Sequence, residues 1–158
     1  MNEQQAVLLT REGLKKLEDE LHELRTVRRA EVAQAIREAQ ELGTAQNDAQ
    51  YEDAKNQQAF IEGRIREVER MLELAEIIDE QAARRSKEVR VGSTVTIRSE
   101  DGKRQTFQLV GPAEVDTSAG RISHESPVGR ALLGKKRGDT VLVRAPGGTV
   151  EKTIITVK

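Results

Sequence analysis

The residues best suited to chemistry lie in a polar segment at 43–50, which contains amides, a hydroxyl and one carboxylate, Asp48. Paired carboxylates are what a protein uses to hold a hard divalent cation beside phosphates. Asp48, with Thr44 and Asn47 nearby, supplies half of such a pair. Asn47 and Asp48 are also typical helix N-caps, so a purely structural role for both stays open.

Other catalytic patterns are missing from the sequence. His22 and His124 fall in different predicted units, which favours an exposed helix histidine and a loop histidine over a triad. The chain has no cysteine, and its three aromatic residues are Tyr51, Phe60 and Phe107. An aromatic-walled pocket or a base-stacking platform is therefore not expected.

Two apolar stripes with helical spacing must position this polar segment. The first follows Thr10, a predicted N-cap, slips near Val27 and ends at Gly43. The second runs from Tyr51 to Ala75 with a 3-4 spacing typical of a coiled-coil seam. About four residues join the stripes, so the sequence predicts an antiparallel helical hairpin whose tip is the polar segment.

The remainder of the chain changes to strand periodicity near residue 90. An Asp-Gly turn at 100–103 predicts a β-hairpin, and Ser126, Pro127 and Gly134 predict a short helix with its N-cap, first position and stop. The sequence thus predicts an α+β fold of two domains. Their predicted bounds are 1–80 for the coiled-coil hairpin, 81–90 for a linker and 91–158 for the α+β domain.

Charge is divided unevenly between the two predicted domains. Residues 1–80 carry a net charge of -8 and residues 81–158 a net charge of +7. This asymmetry suggests different electrostatic partners, although two solvated surfaces of opposite sign would look the same. Basic residues on the predicted stalk could face a nucleic-acid backbone or simply solvent. They are Arg28, Arg29, Arg37 and Lys55.

Targeting signals are not evident in the sequence. It has no run of 18 or more apolar residues and no basic flank followed by an apolar core at its beginning, so neither a membrane span nor a signal peptide is expected. The absence of cysteine fits a reducing compartment. A cytoplasmic protein without a membrane partner is the resulting prediction.

Two long blocks of sequence resemble the bacterial Gre transcript cleavage factor family. The first, at 51–65, reads Tyr-Glu-Asp-Ala-Lys-Asn-Gln-Gln-Ala-Phe-Ile-Glu-Gly-Arg-Ile, and the second, at 122–135, reads Ile-Ser-His-Glu-Ser-Pro-Val-Gly-Arg-Ala-Leu-Leu-Gly-Lys. The segments 8–13 and 145–148 also fit the family. The resemblance covers nearly the whole chain.

The resemblance implies a role on bacterial RNA polymerase. Gre factors pair an N-terminal coiled coil with a C-terminal FKBP-like domain that binds the polymerase, here through Glu125, Ser126 and Pro127. The coiled coil enters the secondary channel and approaches the 3′ end of the nascent RNA. Two tip acids then help to hold a Mg²⁺ of the polymerase active site, so the factor is not itself an enzyme. The resemblance further implies DNA binding, a monomer and no stably bound cofactor.

The chain departs from the family at the tip. An ungapped alignment places Thr44 and Asn47 at the two catalytic acids and Gln50 at the next acid. Asp48 stands one residue away, a rotation of about 100° on a helix. The sequence therefore predicts reduced or absent stimulation of cleavage, in a regulator that occupies the channel. The alternative is an ordinary cleavage stimulator that uses Asp48 and neighbours such as Glu41.

Two further classes stay open at this point. An FKBP-like domain raises the possibility of a proline isomerase, but residues 91–158 contain Phe107 as their only aromatic residue, and such enzymes use an aromatic-lined pocket. A coiled-coil adaptor unrelated to polymerase is the other. Failure to bind core RNA polymerase would favour it.

Overall fold

The chain divides into two compact units, each described separately below. The structure, a computed structural model, describes residues 4–42 and 45–158, with the side chains of 45–48 outside that description. One unit is Leu14–Leu74, and the other joins the described residues up to Gly13 with Ala75–Lys158. The fold is therefore α+β with two units, as predicted.

The first unit is the expected helical hairpin. Helix α1 spans Arg11–Glu23, a π-helical turn spans Leu24–Arg28, α2 spans Arg29–Leu42 and α3 spans Ala45–Glu73. Thr10 is the N-cap of α1, since its Oγ1 accepts a hydrogen bond from the Gly13 N–H at 3.0 Å. None of the helices in the described ranges is both long and apolar enough to cross a membrane.

The π-helical turn explains the slip in the first apolar stripe. A π turn inserts an extra residue and shifts the apolar face around the helix axis. Val27 lies inside this turn and is 47% exposed, whereas Val32 in the next turns is buried. The Thr26 hydroxyl donates to the His22 carbonyl oxygen at 2.7 Å and satisfies one acceptor there.

Apolar contacts between the helices hold the hairpin together. The seam of α3 is buried at the predicted spacing, and the buried side chains of α1 and α2 lie on one stripe. Burying an Ile or Leu side chain contributes about 1.5–3 kcal/mol. The buried residues are Leu17, Leu21, Val32, Ala39, Ala54, Ile61, Ile65 and Val68.

The start of α3 corrects one expectation. Asn47 and Asp48 were expected to cap this helix, but the helix begins at Ala45, so both residues lie inside its first turn. The connection between the helices is correspondingly shorter than the four residues predicted. Ala75, predicted at the end of the helical stripe, instead begins a strand.

The second unit contains a five-stranded sheet with short helices. The strand order is β5-β4-β3-β7-β6, with β4 and β5 parallel and the other neighbours antiparallel. The predicted strands and the helix capped by Ser126 are present. The sheet strands are β3 Thr94–Ser99, β4 Arg104–Val110, β5 Arg121–Ser123, β6 Thr140–Ala145 and β7 Gly148–Val157, and the helices are α4 Glu80–Arg85 and α5 Pro127–Leu132.

One face of the sheet carries the core of this unit. Val95 and Ile97 are buried and alternate with exposed or half-buried neighbours, as a strand with one covered face requires. The predicted turn at 100–103 closes the β3–β4 hairpin, and Gly102 there has φ +84°. The remaining buried side chains of this core are Val89, Leu109, Leu132, Val141, Val143 and Ile154.

Two short strands bring the beginning of the chain into this unit. β1, Val7–Leu9, pairs in parallel with β2, Ala75–Ile77. Because each strand has only three residues, neither shows a period in the sequence. The compact units divide after Gly13 and before Ala75, and the segment 81–90 contains most of α4. The predicted domain bounds stay a prediction.

A carboxylate from a distant part of the sequence fixes the beginning of α1. The Glu114 side chain accepts hydrogen bonds from the Thr10 N–H at 2.7 Å and from the Thr10 hydroxyl at 2.5 Å. Thr10 is 5% exposed, so these groups are shielded from water. A Cβ atom added to Gly13 would lie 2.2 Å from the Glu114 carboxylate, so a larger residue there would displace this carboxylate from Thr10.

Removing the Glu114 carboxylate should destabilise this unit. In Glu114→Ala, the buried Thr10 N–H loses its acceptor, and an unsatisfied buried donor costs about 1–3 kcal/mol. We expect a lower free energy of unfolding in urea titration. Glu114→Gln keeps one acceptor and the shape of the side chain, so it should lose less. Equal losses in the two variants would contradict the role of the carboxylate.

Candidate functional site

The tip residues fall at the edge of the described structure. Thr44 lies outside the described residues, and Asn47 and Asp48 belong to the first turn of α3, with their side chains outside the description. Consecutive positions on a helix are separated by a rotation of about 100°. Positions 47 and 48 are thus consecutive backbone positions of one helical turn.

The described residues next to the tip form a shallow groove of about 260 Å³ on the hairpin. Its carboxylates already have helical partners: Asp53 accepts a hydrogen bond from Gln57 Nε2 at 3.1 Å, and Glu38 accepts one from Gln34 Nε2 at 2.9 Å. Across the described part of the chain, no three His, Asp or Glu side chains come together as a metal site would need. The described surface beside the tip thus contains no ready metal site.

Two of the predicted stalk cations lie in ion pairs within the hairpin. Arg29 forms a bidentate pair with Glu62, at 2.7 and 2.8 Å, and joins α2 to α3. Its hydrogen bonds hold the pKa of the Glu62 carboxyl below its usual value. Arg28 pairs with Glu31 at 3.0 Å, one turn along α2. Both arginines thus have a partner inside the hairpin.

The other two predicted stalk cations have amide partners. The Arg37 guanidinium donates to Gln34 Oε1 at 2.7 Å, and Lys55 Nζ donates to Gln58 Oε1 at 3.0 Å. Neither contact neutralises a charge, and both side chains are exposed. A contact of these cations with nucleic acid stays a prediction.

Another pair joins the helices nearer to the base of the hairpin. Arg64 on α3 forms a bidentate pair with Glu20 on α1, at 2.6 and 2.9 Å. The hydrogen bonds from Glu20 raise the pKa of the Arg64 guanidinium above its usual value. Arg25 and Glu69 form a third link between the helices. These pairs fix the register of the two helices as the apolar seam does.

The predicted docking residues lie in a tightly hydrogen-bonded loop and at the first residue of the helix that follows it, α5. Ser126 caps the helix, accepting from the Gly129 N–H at 3.1 Å, and its hydroxyl donates to the Ser123 carbonyl oxygen at 2.7 Å. The Glu125 N–H donates to Ser123 Oγ at 3.0 Å. The side chains of Glu125 and Pro127 are exposed, so a fixed loop presents a carboxylate and a proline ring to solvent.

His124 anchors the same loop to the sheet. Its backbone N–H donates to the Val110 carbonyl oxygen at 3.1 Å, and its ring Nδ1 lies 3.2 Å from that oxygen. This half-buried histidine is the loop histidine expected from the sequence, whereas His22 is exposed on α1. His22 and His124 belong to different units, so neither unit contains a pair of histidines.

Sequence reasoning missed the residues that support the docking loop. A Cβ on Gly129 would lie 2.2 Å from the Ser123 carbonyl oxygen and 2.9 Å from the His124 Cα. Glycine is a poor helix former, so Gly129 at the third position of a short helix was the sequence feature that could have indicated this support. It indicates a close approach of two backbone segments, but it does not identify Ser123 and His124 as the neighbours.

Comparison with known protein families matches the two parts of the chain to two domains of one family. Residues 7–77 match the N-terminal domain of transcription elongation factors, and residues 84–158 match the C-terminal domain of the GreA/GreB transcription elongation factors. The chain belongs to this family. It is therefore an accessory transcription factor and not an enzyme, as predicted.

Individual relatives are similar to this chain along nearly the full length of both proteins. The chain is 50% identical to transcription elongation factor GreA of Chloroflexus aggregans, over 95% of this chain and 96% of the relative. It is 46% identical to the GreA of Caldanaerobacter subterraneus subsp. tengcongensis, over 96% and 97%. Among solved structures, the GreA factor homolog 1 protein of Thermus thermophilus is 31% identical over 98% and 99%, with a TM-score of 0.45.

Proposed function

We propose that this protein binds bacterial RNA polymerase, inserts its coiled coil into the secondary channel and stimulates transcript cleavage weakly or not at all. The observation that carries the proposal is the chemistry of the tip, where Thr44 and Asn47 occupy the positions of the two family acids. A neutral hydroxyl and a neutral amide supply no negative charge to a divalent cation. The protein then regulates transcription by occupying the channel.

The register of α3 supports this reading of the tip. Because α3 is already helical at Ala45, position 48 is held one helical step from position 47. A carboxylate that shares a catalytic metal must be placed within about 0.5 Å. Asp48 is therefore a poor replacement for the acid missing at position 47. The residues of this tip do not fit a Mg²⁺ of the polymerase.

The docking loop supports polymerase binding through the sheet unit. Glu125 and Pro127 are exposed, while Ser126 is engaged in the cap that fixes them. A preorganised loop loses little conformational entropy when it binds, which favours affinity. Glu125 and Pro127 then contact the polymerase, and Ser126 supports them. The protein acts as a cytoplasmic monomer that contacts the nascent RNA 3′ end and holds no cofactor of its own.

The alternative is a full cleavage stimulator that rescues backtracked complexes with Asp48. The names of the relatives favour it, since the 50% identical protein of Chloroflexus aggregans is a transcription elongation factor GreA. The two functions share the fold and the docking loop. They differ in one measurable property, the rate of transcript cleavage.

Cleavage in a purified backtracked elongation complex separates the two functions. RNA 3′-end shortening is followed over time in Mg²⁺, with and without the protein, and binding to core polymerase is measured in parallel. We expect binding with cleavage near the intrinsic rate of the polymerase. Binding with strong cleavage that Asp48→Ala abolishes would establish the alternative. Absence of binding would contradict both and favour an adaptor unrelated to polymerase.

A further inference from the structure

A cleft of about 610 Å³ in the sheet unit is lined by three segments that are distant in sequence. The segments are the end of α4 with the residues after it, the turn before β6 and the end of β7. All three belong to one compact unit. Six of the nine lining residues are basic, namely Arg84, Arg85, Lys87, Lys136, Arg137 and Lys158.

Backbone hydrogen bonds join two of these segments. The Val89 N–H donates to the Lys135 carbonyl oxygen at 2.8 Å, and the Gly134 N–H donates to the Val89 carbonyl oxygen at 2.8 Å. Glu88 and Lys136 form an antiparallel bridge beside them. Because the backbone of the lining is fixed in this way, it loses little conformational entropy when a ligand binds.

The third segment adds an apolar group to the lining. Val157, near the end of β7, is half-buried and packs against the core of the sheet unit. The end of this strand is held on β3, since the Thr94 N–H donates to the Lys158 carbonyl oxygen at 2.7 Å and the Lys158 N–H donates to the Thr94 carbonyl oxygen at 2.9 Å. An apolar surface beside the cations lowers the local dielectric constant, which strengthens their attraction to a bound anion.

Most of the cations in the cleft have no acidic partner. Within the described residues, Lys136 is the one member of the set in an ion pair, with Glu88 at 3.7 Å. Positive charges held together without compensation repel one another, so a bound anion would stabilise them. The cations whose side chains make neither a hydrogen bond nor an ion pair in the described part of the chain include Arg84, Arg85, Lys87 and Arg137.

We infer that this cleft is a binding site for the oligophosphate group of a small molecule. Its four unpaired cations are matched by about four negative charges, which a chain of three linked phosphates carries near neutral pH. Three of these cations are arginines, whose planar guanidinium groups make bidentate hydrogen bonds to phosphate oxygens. One compact ligand could therefore contact cations from two segments at once.

The size of the cleft favours a compact ligand. Small-molecule sites usually measure about 300–1,000 Å³, and this cleft of about 610 Å³ falls within that range. An extended polyanion is instead followed by a stripe of cations along one face or helix. None of the nine lining residues is aromatic, so the lining offers no platform for stacking a base. The phosphates themselves are therefore the group that the cleft recognises.

The test is isothermal titration calorimetry with the full chain and sodium tripolyphosphate, in about 0.1 M NaCl without divalent cations. We expect a Kd on the order of 10–100 μM, because several charge-assisted hydrogen bonds form together. Orthophosphate and sulfate can contact fewer cations, so they should bind at least about 30-fold more weakly. Raising NaCl to about 0.5 M should weaken tripolyphosphate binding at least about fivefold through screening.

Paired substitutions distinguish the cleft from net charge. Arg85→Gln/Arg137→Gln removes one cation from each of two segments and should weaken tripolyphosphate binding at least about tenfold. Arg66→Gln/Arg70→Gln makes the same charge change at exposed positions of α3, and we expect less than about a twofold effect. Circular dichroism and thermal unfolding check that both variants fold.

A conservative variant tests the bidentate geometry. Arg85→Lys/Arg137→Lys keeps both charges but loses the planar forks, so affinity should fall about threefold. This variant also replaces the glutamine variant if the latter does not fold. Unchanged affinity in the lysine variant, with a folded protein, would contradict recognition by the guanidinium groups.

A titration with ATP distinguishes the two sources of an oligophosphate group. ATP that binds at least as tightly as tripolyphosphate would identify a nucleotide as the ligand, and weaker ATP binding would identify free oligophosphate. Four results would overturn the inference. They are no binding of tripolyphosphate, sulfate binding of equal affinity, equal losses in the cleft and α3 variants, and tighter binding of a duplex of about 20 base pairs than of tripolyphosphate. The assay contains no polymerase, so its result is independent of the proposed function.

Discussion

Restoring two acids at the tip, by Thr44→Asp with Asn47→Glu, is expected to raise transcript cleavage about 100-fold over the unaltered chain. A carboxylate pair that helps to hold a metal at the reacting phosphate stabilises the transition state by several kcal/mol, and about 3 kcal/mol corresponds to roughly 100-fold in rate. The residues of the apolar seam and of the described ion pairs between the helices are not changed by these substitutions.

The measurement is single-turnover RNA shortening in a backtracked complex with saturating protein. Thr44→Ser with Asn47→Gln changes the same positions without adding charge and should leave the rate unchanged. Asp48→Ala should also leave it unchanged, because position 48 is one helical step from position 47. A double-acid variant that binds polymerase as tightly as the parent but cleaves no faster would contradict the proposed role of the tip.

Elements with a local pattern could be predicted from the sequence. The seam of α3 has a clean 3-4 spacing, and the structure buries Ile61, Ile65 and Val68 as that spacing requires. The cap of α5 was predictable because Ser126 and Pro127 act within one helical turn. The slip near Val27 was visible as a break in the stripe, although the sequence did not show that a π turn causes it.

Elements that depend on distant partners could not be predicted. β1 and β2 have three residues each and exist because they pair with each other across more than 60 residues. Glu114 reads as an ordinary surface acid, yet it accepts hydrogen bonds from Thr10, 104 residues away in sequence. The predicted linker looked polar because its arginines face solvent, while Ala83 and Val89 anchor it in the unit.

The candidate sites follow the same distinction. The residue types at the tip are a property of the sequence, so the missing acids were evident without a structure. The anchoring of the docking loop was not evident, because His124 meets the Val110 carbonyl oxygen only when the loop lies beside the sheet. A site built from one segment can be predicted from its residues, whereas contacts between distant segments need the fold.

Gly129→Ala is expected to weaken polymerase binding by at least about tenfold. The added Cβ would lie 2.2 Å from the Ser123 carbonyl oxygen, and that neighbour is backbone that cannot rotate away. The loop must therefore shift, which loses the Ser126 cap and displaces Glu125 and Pro127 from their fixed positions. Overpacking of this kind costs about 1–3 kcal/mol of folding free energy.

Binding to core polymerase and urea unfolding of the free protein, measured on the same sample, test this expectation. Gly63→Ala is the matched control, because a Cβ on Gly63 meets nothing within 4 Å and alanine is the better helix former. It should raise the stability of the hairpin by about 0.5–1 kcal/mol and leave binding unchanged.

A Gly129→Ala protein that is folded at the assay temperature and binds normally would show that the docking surface lies elsewhere on the sheet unit. A loss of binding in the folded variant would mean that the backbone contact between Gly129 and Ser123 preorganises the loop.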